Sequence, residues 1–542
     1  MDNRILIIGL DAATFDLIEP WVQEGRLPHF KHLMEHGAWG RLESSIPPIT
    51  AVAWNSFATG KNPGKHGVFD FIRREADGYG LHAVNGSARR ATPFWRVLDQ
   101  CGLHVGVINM PMTYPPDPLE HGFIISGFDA PGFESDFVHP RELKEKLREW
   151  GYIVHATPTN RRVWVESMLQ VFRAKRRAFF ELYGSQPWDV LMMVFMELDQ
   201  AQHLLWRDMA EGVPPYRDVI PYLYAQADDV LGQVLDSLTG RDTLIILSDH
   251  GAGPLKKVVS INQWLCREGW LVLCDQASPE GAWRQHLLRT YRVLNRKTPR
   301  RIRSAIKERF SWVRDKAESY ILTSALDLAQ TKAFALGEYG GIFINLKGRE
   351  KQGIVSPEEY KALCDEIADR LLALRDPEDA EQVILKVSRR EEVYHGPYLD
   401  QAPDLIPQWN GGYDCRERIE REHHAVFESE VGYRDAAGAK TTGVHRQQGV
   451  LCLHGPAVQP GPVQGAHLMD VVPTLLYLLG LPVPKSMDGR VLRDALAPQW
   501  LAEHPIVYSE TEEAAGGGLD SGYTPEEEAE FKSRLRSLGY LD

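Results

Sequence analysis

Thr243-Leu-Ile-Ile-Leu-Ser248 is an aliphatic, β-branched run that stops at Asp249-His250-Gly251. Its length and composition predict a buried strand of an α/β sheet, ended by turn residues. In such sheets ligands bind beyond the carboxyl ends of the strands. An Asp beside a His at that position offers one hard oxygen and one imidazole nitrogen, a pair suited to zinc or a similar divalent ion. Acidic residues followed by glycine are also ordinary turn chemistry. The dipeptide therefore takes its meaning from partners elsewhere in the chain.

Candidate partners lie in both directions. Ile5 to Leu10 reads as a first strand with Asp11 at its carboxyl end, either a ligand or a cap for the next helix. Val190 to Met196 reads as another strand, running into Glu197-Leu-Asp-Gln-Ala-Gln-His-Leu-Leu-Trp206. Asp199 and His203 stand one helical turn apart and project from one face. That is how helical metal pairs are built, and also how exposed helix pairs are built. Upstream, Pro47 and Pro48 hold the chain extended before Thr50, where a helix can start and run to Ala58 before Gly60. A hydroxyl there is either an ordinary cap or a nucleophile facing a phosphate held by free backbone N–H groups. Finally, Thr442-Gly-Val-His445-Arg446 puts a histidine on the entry to a strand at Gly449 to Leu453.

The remaining pattern is that of a large α/β chain. Val105 to Asn109 and Gly341 to Gly348 predict strands. Ser260 to Leu273, Glu358 to Leu374, Met469 to Leu479 and Pro525 to Leu541 predict helices, and Gly411 to Lys440 reads as loop. From Arg284 to Lys316 the character changes: twelve Lys or Arg stand against two acidic residues, interleaved with apolar positions. This predicts one or two basic amphipathic helices broken by Pro299, either a solvated insert or a surface that meets anionic membranes or substrates. We divide the 542 residues into a first part of the core at 1–275, a basic helical insert or cap at 276–330, a second part of the core at 331–500, and a tail at 501–542.

The net charge of −13 argues against a general nucleic-acid binder, so no duplex binding is expected. Six scattered cysteines without CxxC spacing describe neither a disulfide framework nor a thiolate zinc site and fit a reducing compartment. The opening apolar run is too short for a signal segment, and no stretch reaches the ~20 apolar residues of a membrane span. The expectation is a cytoplasmic protein. Oligomeric state is not legible.

Counted together, Asp11, Thr50, Asp199, His203, Asp249, His250 and His445 all fall on or beside predicted strand ends or adjoining turns. Three carboxylates, three imidazoles and a hydroxyl can form two adjacent divalent sites. A pair of ions roughly 4 Å apart stabilises both attacking and leaving oxygens of an in-line phosphoryl displacement.

At Gly-Leu-Asp11, at Thr50 through Thr-Gly-Lys-Asn-Pro-Gly-Lys-His-Gly67, and at Asp199-Gln-Ala-Gln-His203, Ser-Asp249-His250-Gly and Gly-Val-His445, the chain resembles the alkaline phosphatase superfamily. It is most similar to the type I phosphodiesterase/nucleotide pyrophosphatase branch. The resemblance implies a three-layer α/β/α sandwich around a mostly parallel sheet, with the basic stretch as a helical insert. It implies one ion held by Asp11, Thr50, Asp249 and His250 and a second by Asp199, His203 and His445, zinc by preference with manganese as the alternative. It further implies a hydrolase acting on phosphodiesters or phosphomonoesters, small-molecule or lipid-like, through a covalent phosphothreonine at Thr50.

One position departs from the family pattern. An Asn that grips a phosphoryl oxygen is expected just downstream of His66-Gly67, and Val68-Phe-Asp-Phe71 stands there instead. Asn55, Asn109 or a backbone N–H are the candidate replacements. Lys61, Lys65 and His66 are read as shaping the loop. Two other functions compete: a phosphomutase of the same superfamily, and a non-catalytic, metal-stabilised binding protein. A sulfatase is disfavoured because the Cys/Ser-x-Pro-x-Arg segment that makes formylglycine is absent around Thr50.

Overall fold

The computed structural model describes residues 3–74, 81–157, 160–274, 326–417, 419, 425–428, 441–510 and 522–538. The basic stretch at 284–316, read above as an insert, lies outside the described residues.

The Thr243 run belongs to the strand Asp242–Leu247 of a ten-stranded sheet. Five strands at its centre run parallel, in the order Asp242–Leu247, Arg4–Leu10, Val190–Phe195, Val105–Ile108 and Gly122–Ile125. Every residue of the first, third and fourth of these is buried. Unbroken burial means that both faces of the sheet are covered, and the helices divide accordingly. Phe15–Gln23, Pro28–His36, Arg161–Ser185, Glu197–Ala210 and Val219–Ser237 adjoin in one chain of contacts; Thr50–Thr59, Phe94–Gln100 and Val471–Leu478 adjoin in another. The result is the alkaline phosphatase-like α/β architecture. Antiparallel strands close the sheet: Gln448–His454 wedges between Asp242–Leu247 and Ala38–Glu43, and Val138–His139 finishes the far edge.

Close packing at the centre depends on Gly9. A Cβ there would sit 2.8 Å from the Trp54 ring and 2.9 Å from a Val194 methyl, inside any real carbon–carbon contact. Trp54 in turn donates from its indole N–H to Asp11 at 2.9 Å. Gly9→Ala is therefore expected to cost about 1–3 kcal/mol through overpacking, read as a lower urea midpoint. An unchanged midpoint would mean that the helix and sheet separate more easily than this contact implies.

A second, smaller core gathers residues between Val259 and Val426. Its sheet runs Ala333–Leu336, Gly341–Ile344, Leu405–Trp409, Ile384–Arg389, all antiparallel, with the helix Pro357–Leu372 against it. Pro357–Leu372 starts at a Ser356–Glu359 capping box, which ties up two first-turn donors.

Several predicted elements shorten at their ends. The predicted helix at Ser260 to Leu273 is Ile261–Arg267, stopped by Gly269 at φ +82°. The region read as loop at 411–440 contains Tyr413–Arg416 and Phe427–Glu428, which flank Lys257–Ser260 as edge strands. Their pairing is supplied by the partner strand, and no local period announces it. In the tail, Pro525–Leu538 buries Phe531 and Leu535 in the main core. Arg534 fastens it by donating to the carbonyls of Phe128, Ala130 and Pro131 at 2.7–3.0 Å.

Candidate metal centre

Three neighbouring parallel strands deliver five of the seven residues singled out above. Asp11 leaves the end of Arg4–Leu10; Asp249 and His250 leave the adjacent Asp242–Leu247. On the other side, Val190–Phe195 leads into Glu197–Ala210, which carries Asp199 and His203. His445 arrives on the strand Gly443–Arg446, paired antiparallel with Gly251–Pro254 so that His445 lies opposite Ala252. Thr50 is the first residue of its helix. Ile49 before it provides no side-chain cap, and the first-turn N–H groups have no partners inside the helix. The hydroxyl is thus released from capping, and Oγ1 lies 3.1 Å from His250 Nε2.

The turns are braced from behind. Gln202 donates to the Ala12 carbonyl at 3.0 Å, and Tyr224 donates to Gln202 at 3.1 Å. Ser248 donates to the Ala13 carbonyl at 2.9 Å.

Two groups of ligating atoms result, Asp11-Asp249-His250 and Asp199-His203-His445, each within 4.8 Å and fully buried. Their donor chemistry asks for cations. His203 Nδ1 faces the Gly443 carbonyl at 3.1 Å, and His445 Nδ1 faces the Pro48 carbonyl at 3.0 Å. Both Nδ1 atoms must then carry the proton. That leaves two Nε2 lone pairs facing each other at 2.8 Å, with Asp199 Oδ1 3.2 and 3.3 Å away. His250 Nδ1 likewise faces the Gly251 carbonyl, which turns its Nε2 toward Thr50, with Asp249 Oδ2 at 3.2 Å and Asp11 Oδ1 at 3.9 Å. Asp11 Oδ1 and Asp249 Oδ2 are buried without a hydrogen-bond partner. Apposed lone pairs and bare buried carboxylates are unfavourable unless a positive charge lies between them. A set of three imidazoles and three carboxylates suits zinc or manganese.

The protonation equilibria differ between the two groups. Burial, with Asp249 and Asp199 close by, pushes the Asp11 carboxyl well above the usual range. Burial and Asp199 do the same to Asp249. Burial also opposes ionisation of Asp199, but His203 and His445 overcome it and hold Asp199 well below. Burial and His445 keep the His250 imidazole well below its normal value.

Both asparagines offered as phosphate grips are engaged elsewhere. Asn55 donates to the Ala51 carbonyl at 2.7 Å and accepts from Arg89 at 3.1 Å; Asn109 donates to the Val194 carbonyl at 2.6 Å. Of the three replacements considered, the backbone N–H groups at the start of the Thr50 helix remain. Lys65 is paired with Asp488, and His66 sits 3.0 Å from Ser56 Oγ while its Nδ1 accepts from Val68 N–H at 3.2 Å. These contacts shape the loop behind the helix.

Because Nδ1 accepts, His66 is the neutral Nε2–H tautomer, and burial lowers its pKa from 6.5 to about 3. Unfolding returns it to the normal value, so the unfolded chain takes up the proton first as pH falls. The associated stability is complete above pH ~6.5 and is lost progressively toward pH ~3. Between pH 7 and 5 the loss is about 2 kcal/mol. His66→Gln should flatten that part of the stability–pH curve in denaturant titrations; an unaltered slope would exclude His66 as its source.

Glu338 and Tyr339 were not anticipated. They sit on the turn between Ala333–Leu336 and Gly341–Ile344, bracketed by Gly337 at φ +86° and Gly340 at φ +65°. Glu338 Oε1 lies 3.7 Å from His445 Nδ1, and the Tyr339 ring stacks at 6.3 Å over His445. Burial, with Asp70 and Asp414 nearby, pushes the Glu338 carboxyl well up. The paired glycines of Gly337-Glu-Tyr-Gly340 were the available signal.

The family model for type I phosphodiesterase / nucleotide pyrophosphatase matches residues 5–434, ending before His445. Phosphonoacetate hydrolase from Sinorhizobium meliloti 1021, solved with phosphonoformate, superposes with a TM-score of 0.55 at 16% identity, covering 87% of this chain and 94% of that one. Murine ectonucleotide pyrophosphatase/phosphodiesterase 5 gives a TM-score of 0.47 at 14% identity, covering 91% and 100%. A 2,3-bisphosphoglycerate-independent phosphoglycerate mutase from Chromohalobacter salexigens is 27% identical over 188 residues, 31% of this chain and 35% of that protein. The chain thus spans about a third of the length of the curated relative it matches. With the family model running across most of the sequence and the fold agreeing, the chain belongs to the type I phosphodiesterase/nucleotide pyrophosphatase family of the alkaline phosphatase superfamily.

Proposed function

We propose that the protein is a two-metal phosphohydrolase that cleaves phosphodiesters or phosphomonoesters through a covalent phosphothreonine at Thr50. The observation that carries this reading is the convergence of three Nε2 lone pairs and three carboxylates beside an uncapped threonine hydroxyl. Asp11, Thr50, Asp249 and His250 would hold one divalent ion and Asp199, His203 and His445 the other, zinc by preference and manganese as the alternative. Such ions, when bound, lower the pKa of a coordinated hydroxyl and offset charge on the leaving oxygen.

The chain's own residues define the rest. Thr50 Oγ1 attacks phosphorus, forming a P–O bond to threonine as the bond to the leaving alcohol breaks. The first-turn N–H groups receive the phosphoryl oxygens at the positive end of the helix. Water then cleaves the phosphothreonine and restores the hydroxyl. Burial of the whole constellation keeps bulk water from screening these interactions.

Turnover of p-nitrophenyl phosphate and bis-p-nitrophenyl phosphate by zinc- and manganese-loaded protein tests this reading. Stoichiometric metal without turnover of any phosphoester would sink it and favour a binding protein. The similarity to a mutase over part of the chain keeps phosphoryl transfer to a second alcohol as the other outcome to assay. Against it, the second core is inserted between His250 and His445, after the nucleophile and most ligands. No disulfide joins any of the six cysteines, which supports a cytoplasmic location, and no described helix is long and apolar enough to cross a membrane.

A further inference from the structure

Beside the metal centre the described residues surround a largely apolar cavity of about 60 Å³. Ile49 and Val68 line it from one side, and Leu336, Tyr339, Phe343 and Ile406 line it from the smaller antiparallel sheet and its connecting turn. Three observations tie it to the Asp199-His203-His445 group. Ile49 is the residue before Thr50. Pro48, next to Ile49, accepts the Nδ1 proton of His445. The Tyr339 ring, part of the cavity wall, stacks on the His445 imidazole.

Its wall chemistry is selective. Arg74, which also borders the cavity, is committed to Glu350 at 2.9 and 3.1 Å and stacks on Phe343 at 4.1 Å. Asp70 accepts the backbone N–H of Phe71 and of Glu338. The Tyr339 hydroxyl, in contrast, is buried without a hydrogen-bond partner. Buried hydroxyls are rarely left so, and the ring that carries this one forms part of the cavity wall beside His445.

We propose that this cavity is the subsite for the alcohol portion of the phosphoester, and that it selects an apolar alkyl group. The inference rests on the phosphohydrolase reading and adds the substrate class to it. A volume of about 60 Å³ holds roughly four to six water-sized atoms, so a butyl chain fits, whereas a benzene ring needs a cavity of ~150 Å³.

The test is a series of n-alkyl phosphates from methyl to octyl with the zinc-loaded full chain. Leaving-alcohol basicity barely changes along this series, so differences in kcat/KM report binding of the chain. Each buried methylene is expected to raise kcat/KM about fourfold, with a plateau near four to six carbons. Ile406→Phe should bring the plateau to shorter chains, and Phe343→Leu should move it to longer ones. The matching alkylphosphonates, as competitive inhibitors, should follow the same length dependence. Turnover without any dependence on chain length overturns the subsite while leaving the phosphohydrolase reading intact. So does a plateau that neither Ile406→Phe nor Phe343→Leu shifts. Absence of turnover across the whole series and of bis-p-nitrophenyl phosphate, with both metals bound, overturns the phosphohydrolase reading itself.

Discussion

Thr50→Ala is expected to lower kcat on p-nitrophenyl esters by roughly 10³-fold or more while leaving the fold intact. The size follows from the nucleophile role proposed for the residue. Removing a nucleophile that works as a unit with its neighbours costs most of the rate enhancement. The small structural effect follows from its surroundings: Thr50 does not cap its helix, so alanine removes one hydroxyl whose contact is with His250 Nε2. Thr50→Ser keeps the oxygen and should retain part of the activity. Acid quenching during turnover should trap one phosphate on the peptide containing Thr50 in wild type and none in Thr50→Ala. Substantial turnover by the alanine variant would replace the covalent route with direct attack by water.

Removing the metals should be nearly as damaging and should also act on stability. Dialysis against a strong chelator is expected to abolish turnover and to lower the thermal midpoint, with zinc or manganese restoring both. The stability effect arises because the native state presents converging ligands and the unfolded chain does not. At a free metal concentration 1,000 times Kd, one site contributes about 4 kcal/mol. His445→Ala should reduce bound metal from two equivalents to one, since the Asp11-Asp249-His250 group does not use it. A chelated protein with unchanged activity and midpoint would show that the two groups do not hold functional metal.

Much of this site could be read from spacing alone. Asp11 and Asp249 announce themselves because short aliphatic strands end on them, and Asp199 with His203 because four residues make one helical turn. Thr50 was legible as the start of a helix behind two prolines, although only the structure shows that it does not cap that helix. His445 was visible as a histidine on the entry to a strand; its partner strand Gly251–Pro254 was not, because those four residues have no periodic signal of their own. The same reason hid Tyr413–Arg416 and Phe427–Glu428, whose pairing is created by Lys257–Ser260. Glu338 and Tyr339 escaped because their placement depends on a second core built from distant pieces of chain. The absence of an asparagine from Val68-Phe-Asp-Phe71 was legible, yet composition could not say that Asn55 and Asn109 donate to backbone carbonyls.

The strand Ala38–Glu43 has a consequence for biosynthesis. Its partners in the sheet are Gln448–His454, Gly461–Pro462 and Ala466–His467, all drawn from the far end of the chain. During translation this strand, and the Thr50 segment that follows it, must wait without sheet neighbours while some four hundred intervening residues are made. The Asp11-Asp249-His250 group can assemble once residue 250 has left the ribosome, but the Asp199-His203-His445 group cannot. A nascent chain therefore completes its two ligand groups at different lengths, and Thr50, the proposed nucleophile, is locked into register last. A ribosome-stalled chain ending before residue 440 should bind at most one metal and carry no esterase activity.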